Sequence, residues 1–548
     1  MSFNWKVQMQ PTKRRRATIR WAAGVFLILT LSLLPELPTT SAGSPEGEVD
    51  RAECDDYSMA ETGLQGQVPR AERDNGRSLQ GYWCNMSLIG KYQGHGAGII
   101  NPSYQNCAYF GSFFPNSLMG EKNGVQVIDA SNQAQPRAVT KLTSSAMSLG
   151  TWESLKVDPV NGRLAAVGVP LLFGFMTFDI YDIKDDCTRP RLLNRKDDSD
   201  QTPSLAVAGH EGGFSPDGRT YYATDVLGDL TAIDISDPTR PETIYMNFTG
   251  LTSHGFSISP DGNTMYLARI FPAGVRVLDI SDIQQRRPNP QVRIVGAEFW
   301  YDGLISQTSV NFVKDGHKYL FAVDEGGSGG VRLLDVEDRT KPRVIRKYRL
   351  EINRPENGPT RKIDVAGNGA FGYDAHYCNV DAPVNPTLLA CSYWASGVRL
   401  FDISDLMNPR ELAYYNPPGQ TPLLSKAGLP NSPHALGTLL PPLTNPMDTD
   451  FTKLFTQPDG SVDWCSSPPE FRPGNQLWVS CMDNGFMILQ YHTGAEAGTT
   501  STALPAAPAT VAGPKKAKAK KSAKARHQRK KRHQAKKRHQ HRPRVTQR

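Results

Sequence analysis

The sequence lacks several features that would place it in a familiar class. Its longest apolar stretch, residues 21–34, has 14 residues, whereas a membrane-spanning helix needs about 20. Helical periodicity is nearly absent, which argues against a helical bundle. No two cysteines are spaced as C-x-x-C, which argues against a cysteine zinc site. The glycine run at 326–330 is not followed by the Lys-Ser/Thr of a phosphate-binding loop. A β-rich fold is left as the main expectation.

The N-terminus has the order of a secretory signal peptide. The basic stretch 13–20 precedes the apolar run, and the small residues 40–42 follow it. This order predicts a signal peptide over residues 1–42 with cleavage after Ala42, and an uncleaved anchor is the alternative. Residues 43–84 then form an N-terminal lead-in. The expected location is secreted, extracellular or associated with the cell envelope.

Charge is distributed very unevenly along the chain. Residues 515–548 carry ten Lys, seven Arg and no acid, a net of +17, and residues 1–42 carry +5. Because the whole chain is +8, residues 43–514 carry −14. Residues 494–514 have the composition of a linker, and residues 515–548 are too polar to fold alone. We expect this tail to bind an anionic cell-envelope polymer or lipid surface. Its lack of aromatic residues argues against nucleic acid.

Eight cysteines lie beyond the predicted signal peptide, and an even number in an exported protein predicts disulfides. Cys378 and Cys391 flank a predicted hairpin turn and are expected to pair. Cys465 and Cys481 are close in sequence and form a second expected pair. The pairing of Cys54, Cys84, Cys107 and Cys187 is left open.

A short phrase of alternating apolar residues ending in Asp recurs along the chain. Its seven copies end at Asp129, Asp182, Asp234, Asp279, Asp335, Asp402 and, in a degenerate form, Gln490. The first six are 53, 52, 45, 56 and 67 residues apart. An apolar strand and a Gly usually precede each copy, and a polar turn with Pro and another strand follow it. The Asp side chains are expected to bond backbone N–H groups in those turns.

Units of about four short strands at this spacing are typical of β-propellers. We therefore predict an all-β, seven-bladed propeller over residues 85–493 with four-stranded antiparallel blades. Residues 86–92 resemble the last strand of a unit, and the final repeat, ending at Tyr491, has no such strand. We predict that 86–92 closes the ring by pairing with that repeat, which covers an otherwise open sheet edge.

The repeated phrase, with its Ile-Ser-Asp and following Pro-Arg, resembles the LVIVD-repeat family of exported β-propellers. The resemblance covers residues 85–491 and implies the fold but no particular activity. A more distant similarity, to selenium-binding-protein and methanethiol-oxidase propellers, implies that histidines in the central channel hold a metal.

Histidines recur near the start of the units. Aligning the units on the turn after the first strand gives one position in each of the seven, and five of these are His: His95, Glu153, His210, His254, Thr308, His376 and His434. If the first strands line the channel, these side chains converge at its mouth. Imidazoles with a carboxylate suit a transition metal such as Cu, Zn or Fe. The alternative is that the histidines hold neighbouring loops through hydrogen bonds.

Two classes of function follow. The first is an extracellular scaffold that binds a protein or small-molecule ligand at the channel and is tethered by its tail. The second is a metal-dependent, oxidoreductase-like enzyme that uses His95, Glu153, His210, His254, His376 and His434. The sequence names no substrate for either.

Overall fold

The computed structural model describes residues 46–112, 124–168, 177–196, 205, 207, 209–250, 252–327, 330–364, 372–419 and 460–492. The described strands form seven sheets, each with a core of four antiparallel strands. The predicted seven-bladed β-propeller is therefore confirmed. Towards the centre of the ring, the first strands of neighbouring blades contact one another from blade 2 to blade 7. The predicted signal peptide, the linker, the tail and His434 lie outside the described residues.

Each blade is given from its inner to its outer strand. Blades 1 to 3 comprise Ser103–Tyr104, Cys107–Phe110, Val125–Asp129 and Arg137–Leu142; Lys156–Asp158, Arg163–Gly168, Thr177–Asp182 and Arg191–Leu192; and Glu211–Phe214, Thr220–Thr224, Asp229–Asp234 and Glu242–Phe248. Blades 4 and 5 comprise Phe256–Ile258, Thr264–Arg269, Ala273–Asp279 and Arg293–Trp300; and Leu304–Lys314, His317–Gly326, Gly330–Asp335 and Arg343–Arg349. Blades 6 and 7 comprise Ala375–Val380, Leu388–Tyr393, Gly397–Asp402 and Arg410–Asn416; and Glu470–Arg472, Gln476–Cys481, Gly485–Tyr491 and Met86–Tyr92.

Helices are few and short in the described part of the chain. The α-helices are Arg70–Asp74, Ser145–Leu149, Ser281–Gln284 and Gly358–Asp364, and the 3-10 helices are Arg77–Gln80, Glu351–Asn353 and Pro355–Asn357. None of these described helices has the length and apolar character to cross a membrane.

The repeated phrase forms the third strand of each blade. Its apolar residues are buried because a blade packs against a neighbour on both faces. The terminal Asp accepts a backbone N–H two residues on, as expected: Asp335 accepts from Glu337 at 3.1 Å, and its other oxygen contacts Arg343 at 2.8 Å. Asp402 does the same with Ser404 and Arg410. The recurring Asp therefore fixes the turn that leads to the outer strand.

Hydrophobic clusters join the blades into a ring, one at each of the seven junctions. Between blades 2 and 3, for example, Val167 and Phe178 pack against Tyr221 and Ala223. The rings of Phe178 and Tyr221 lie 5.0 Å apart between centroids. Because each blade has an apolar layer on both faces, no blade is stable without its neighbours.

The N-terminal lead-in and the closing strand that follows it cross the outer edges of three consecutive blades. Glu46–Glu48 adds a parallel strand to blade 5, and Tyr82–Cys84 adds an antiparallel strand to blade 6. Met86–Tyr92 pairs antiparallel with Gly485–Tyr491 in blade 7, the pairing that the sequence analysis predicts. The buried Arg399 of blade 6 forms ion pairs with Glu61 of the lead-in and with Glu411. Three sheet edges are thus covered by one segment.

Four disulfides cross-link the propeller and its lead-in. The two expected pairs, Cys378–Cys391 and Cys465–Cys481, are present. Cys107–Cys187 links blade 1 to the turn after the third strand of blade 2, and Cys54–Cys84 closes a loop in the lead-in. All eight cysteines are therefore paired.

Replacing Gly485 tests the closing pair. Gly485 has a φ of 76°, and a Cβ there would overlap the carbonyl oxygen of Tyr92 in the closing strand. Gly474, in the same blade, has a φ of 79°, but a Cβ added there would meet no atom within 4 Å. We expect Gly474→Ala to lower the free energy of unfolding by about 1–2 kcal/mol through backbone strain alone. Gly485→Ala should lower it by roughly 1–3 kcal/mol more, because the overlap adds to the strain. Equal losses in denaturant unfolding would contradict the role of this strand.

Candidate metal centre

Three predicted residues meet where the inner strands of blades 2 to 4 begin. Glu153 precedes the inner strand of blade 2, His210 directly precedes that of blade 3, and His254 comes shortly before that of blade 4. A parallel bridge between Glu153 and Glu211 joins the first two blades at this point. In blade 4, the backbone N–H of His254 donates to the carbonyl of Ala268 at 3.0 Å, and this bond holds the backbone of His254 beside the second strand.

One ligand atom from each of these three residues lies within 4.8 Å of the other two. Nε2 of His210 is 3.0 Å from Oε2 of Glu153, and Nδ1 of His254 is 3.5 Å from the same oxygen. Ligands about 2.1 Å from a tetrahedral ion lie roughly 3.4 Å apart. The spacing therefore suits a transition-metal ion. We call Glu153, His210 and His254 the metal triad.

His376 and Glu325 flank the other side of Glu153. Nε2 of His376 lies 3.4 Å from Oε1 of Glu153 and 3.3 Å from Oε2 of Glu325. Its Nδ1 lies 2.8 Å from the carbonyl oxygen of Ser466. His376 is thus held between a backbone acceptor and two carboxylates, and it lies outside the metal triad. In this position it orients Glu153, the role of a residue that supports a ligand.

The histidines of this cluster differ in pKa, and that of His210 is raised because Glu153 outweighs its burial. Burial lowers the pKa of His254 to about 3, so this imidazole is neutral at pH 7 and has a lone pair to offer. Burial also disfavours the charged form of His376, but Glu153 and Glu325 outweigh it and raise its pKa to about 9. For Glu153, burial is outweighed by His254 and His210, which hold its pKa well below the usual range. The carboxylate at the centre is therefore ionised.

Several polar atoms of this cluster are buried without a hydrogen bond of normal geometry to any described residue. They are Oε2 of Glu153, Nδ1 of His254 and Nε2 of His376. Buried polar atoms are almost always satisfied in folded proteins, so a group of unsatisfied ones calls for an explanation. Two of the three belong to the metal triad. A cation bound there would satisfy both.

A second group of polar side chains lies beside the metal triad. Glu211 forms an ion pair with Lys156 at 2.5 Å and accepts a hydrogen bond from the hydroxyl of Tyr377. The Nε2 of Gln307 donates to the same hydroxyl at 2.9 Å. Burial raises the pKa of Glu211 despite Lys156, and it raises that of Tyr377 well above its usual range. The group links blades 2, 3, 5 and 6 around the centre of the ring.

The predicted positions differ in where they lie. Glu153, His210, His254 and His376 come together, whereas His95 is exposed in the connection between the closing strand and blade 1. Thr308 is buried in the inner strand of blade 5. For His95 and His434, a role at the centre stays a prediction. Glu325, Glu211 and Tyr377 were not found from the sequence, since they do not recur at equivalent positions of the repeat.

The fold and these contacts define a seven-bladed β-propeller with a buried His/Glu centre. The family model described as LVIVD repeat matches residues 220–246, which cover the second and third strands of blade 3 and most of the fourth. The match identifies an LVIVD repeat within blade 3, in agreement with the resemblance of the repeated phrase. No curated protein is significantly similar to it in sequence.

Three solved structures are similar to parts of this chain at low identity. A proposed 6-phosphogluconolactonase from Bacteroides uniformis is 14% identical over 45% of this chain and 71% of its own, with a TM-score of 0.33. A protein from Lactobacillus plantarum is 15% identical over 56% and 81%, with a TM-score of 0.40. A functionally unknown protein from Desulfotomaculum acetoxidans is 12% identical over 58% and 89%, with a TM-score of 0.39. Such likenesses carry no indication of activity, and the distant similarity to selenium-binding propellers stays a prediction.

Removing the hydroxyl of Tyr377 tests the polar group. Tyr377→Phe leaves an oxygen of buried Glu211 and the Nε2 of Gln307 without their partner, so we expect it to lower the free energy of unfolding by about 1–3 kcal/mol. Tyr222→Phe is the matched control, because the hydroxyl of Tyr222 is buried without a partner among the described residues. It should be neutral or stabilising. Similar losses for both variants in denaturant unfolding would contradict the contacts described.

Proposed function

We propose that this propeller binds one transition-metal ion through Glu153, His210 and His254 and presents it at the mouth of the central channel. The observation that carries the proposal is the meeting of these three side chains with their ligand atoms within 4.8 Å of one another. Two of those atoms, Oε2 of Glu153 and Nδ1 of His254, are buried and form no hydrogen bond of normal geometry with the described residues. The alternative, in which the histidines only tie loops together, leaves these two atoms without a hydrogen bond of normal geometry.

The donor set favours a borderline metal. Two imidazoles and one carboxylate suit Zn, Cu or Fe, whereas Ca and Mg prefer sites made of oxygen ligands. Three protein ligands also leave a coordination position for water or a substrate, as in catalytic sites and unlike closed structural ones. The side chain of His210 is 16% exposed, whereas those of Glu153 and His254 are 4% and 6% exposed. That open position would therefore face the solvent beside His210.

The surrounding residues support such a role. His376 contacts the second oxygen of Glu153 and is itself contacted by Glu325. Glu211 and Tyr377 form a hydrogen-bonded pair next to His376. When bound, an ion here would supply Lewis acidity or redox chemistry. A metal-dependent enzyme is accordingly the activity that we favour, with its substrate at the channel mouth.

Metal binding is tested directly by measuring the bound metal in purified protein after loading with Zn²⁺ or Cu²⁺ and removal of excess ion. We expect one equivalent that is lost or weakened by more than about 100-fold in His210→Ala and His254→Ala, because both remove a ligand. His376→Ala should weaken binding by about 10–100-fold, because it removes a support rather than a ligand.

The matched control is His317→Ala. His317 is bonded to Asp335 between the second and third strands of blade 5 and is 39% exposed. This variant should keep the full equivalent. The proposal fails if the triad variants retain the same equivalent as wild type, or if wild-type protein retains none.

A second function is compatible with the first and concerns the tail. The net charge of +17 in residues 515–548, against −14 in residues 43–514, supports an exported propeller that is held on an anionic envelope surface. Four disulfides support an oxidising location for the folded part. The propeller would then present its channel to a protein or small-molecule ligand outside the cell.

Deleting residues 515–548 tests the tether. Wild-type protein should sediment with vesicles that contain anionic lipid or with an anionic wall polymer, and added salt should release it, because counterions screen the tail. The truncated protein should remain in the supernatant at low salt. Equal binding of the two proteins, or binding that salt does not weaken, would refute the tether.

A further inference from the structure

Blade 4 carries two arginines, Arg269 and Arg276, that form no ion pair with any residue of the described part of the chain. Arg269 ends the second strand and is 3% exposed, and Arg276 lies on the neighbouring third strand, partly exposed. Arg269 donates from Nη1 to the carbonyl of Gly250 at 3.0 Å, and Arg276 donates from Nη1 to the carbonyl of Thr249 at 2.8 Å. No described carboxylate forms an ion pair with either, and the Nε of Arg269 is buried without a partner among the described residues.

Blades 5 and 6 show how the same position is neutralised elsewhere. In blades 4, 5 and 6 the pairing of the third strand with the second begins at a glycine, and an arginine follows two residues later. These arginines are Arg276, Arg332 and Arg399. Arg332 lies 2.9 Å from Asp324 and 3.1 Å from Asp302. Arg399 pairs with Glu411 and Glu61. Two carboxylates therefore surround each equivalent arginine.

The register makes the contrast sharper. Asp324, which neutralises Arg332, is the residue opposite Gly330 in blade 5. The residue opposite Gly274 in blade 4 is Arg269. An arginine thus occupies the place of the neutralising carboxylate, and it faces a second arginine. Burying like charges together without a counter-ion is strongly unfavourable. Burial and the charge of Arg276 lower the pKa of Arg269 to about 9, which leaves it charged at neutral pH.

We propose that Arg269 and Arg276 form a binding site for an anionic group, a phosphate or a carboxylate, that enters from the solvent side of Arg276. Two guanidinium groups offer the paired N–H donors that such oxyanions prefer. Both groups meet at Gly250: its carbonyl accepts from Arg269, and a Cβ there would overlap Nη1 of Arg276. A side chain at position 250 would therefore displace Arg276 from the site.

The site lies on the same side of the ring as the metal triad. Ala268, which precedes Arg269, accepts the backbone N–H of His254. An anionic ligand held here would thus lie one strand outward from a metal ligand. The inference stands without a bound metal, since no contact of either arginine involves the metal triad.

The test uses full-length, metal-free protein and its thermal unfolding midpoint during titration with inorganic phosphate, at constant ionic strength maintained with NaCl. The midpoint should rise with phosphate, because a ligand that binds only the folded state stabilises it. Arg276→Gln should weaken this response by about tenfold or more, because a charged donor is lost. A parallel titration with succinate distinguishes the two sources, and the anion with the larger response identifies the class.

Arg269→Asp provides a variant that should keep its fold. It restores in blade 4 the pattern of Asp324 and Arg332, so its midpoint without phosphate should equal or exceed that of wild type while the response to phosphate disappears. Arg240→Gln is the matched control, since Arg240 is an exposed arginine that pairs with Asp237, and its response should be unchanged. The proposal is overturned if phosphate and succinate raise the wild-type midpoint no more than chloride does, or if Arg276→Gln and Arg269→Asp respond like wild type. Repeating the titration with metal-loaded protein separates this result from the metal proposal.

Discussion

Closure of the ring is the constraint on which the rest of the structure depends. Every blade has two apolar faces, so each blade needs a neighbouring blade on both sides. The junction between blades 7 and 1 is completed by Met86–Tyr92, the outer strand of blade 7. Closure also places the inner strands around one axis. Glu153 and His376, which are far apart in the chain, come within 3.4 Å of each other for this reason. The centre is thus a product of the whole ring rather than of any one repeat.

Buried charge then distinguishes the blades from one another. The repeat supplies an arginine at the same place in blades 4, 5 and 6, and its surroundings decide its role. In blades 5 and 6 the arginines are enclosed by carboxylates and act as structural ties, one of them to the N-terminal lead-in. In blade 4 the carboxylate is replaced by the buried Arg269, and Arg276 beside it is partly exposed. One backbone pattern therefore yields either a structural ion pair or an anion site.

The sequence predicts the fold well because the repeated phrase has a local cause. Alternating apolar residues, a Gly and a terminal Asp each dictate a strand or a turn within a few residues. The closing strand is predictable because residues 86–92 resemble the outer strand of another blade. The pairs Cys378–Cys391 and Cys465–Cys481 are predictable because their partners are close in sequence. Cys107–Cys187 is not, since its partners belong to different blades and only the ring brings them together.

The centre is only partly predictable for the same reason. His210 and His254 precede similar turns, so the repeat aligns them with Glu153. Glu325 lies at the end of a second strand and Tyr377 beside His376, and no recurring pattern marks either. Their proximity depends on how far each blade is rotated about the axis. That rotation is set by packing between blades, which a sequence pattern does not encode.

X-ray absorption spectroscopy of the full-length protein loaded with one equivalent of Zn²⁺ tests the metal centre most directly. The account predicts nitrogen and oxygen ligands at about 2.0–2.1 Å with the scattering pattern of two imidazoles. It also predicts that this pattern is lost in the double variant His210→Ala, His254→Ala. The four histidines of the tail provide the competing source of imidazole. An unchanged spectrum in the double variant would place the ion on other ligands and contradict the metal triad.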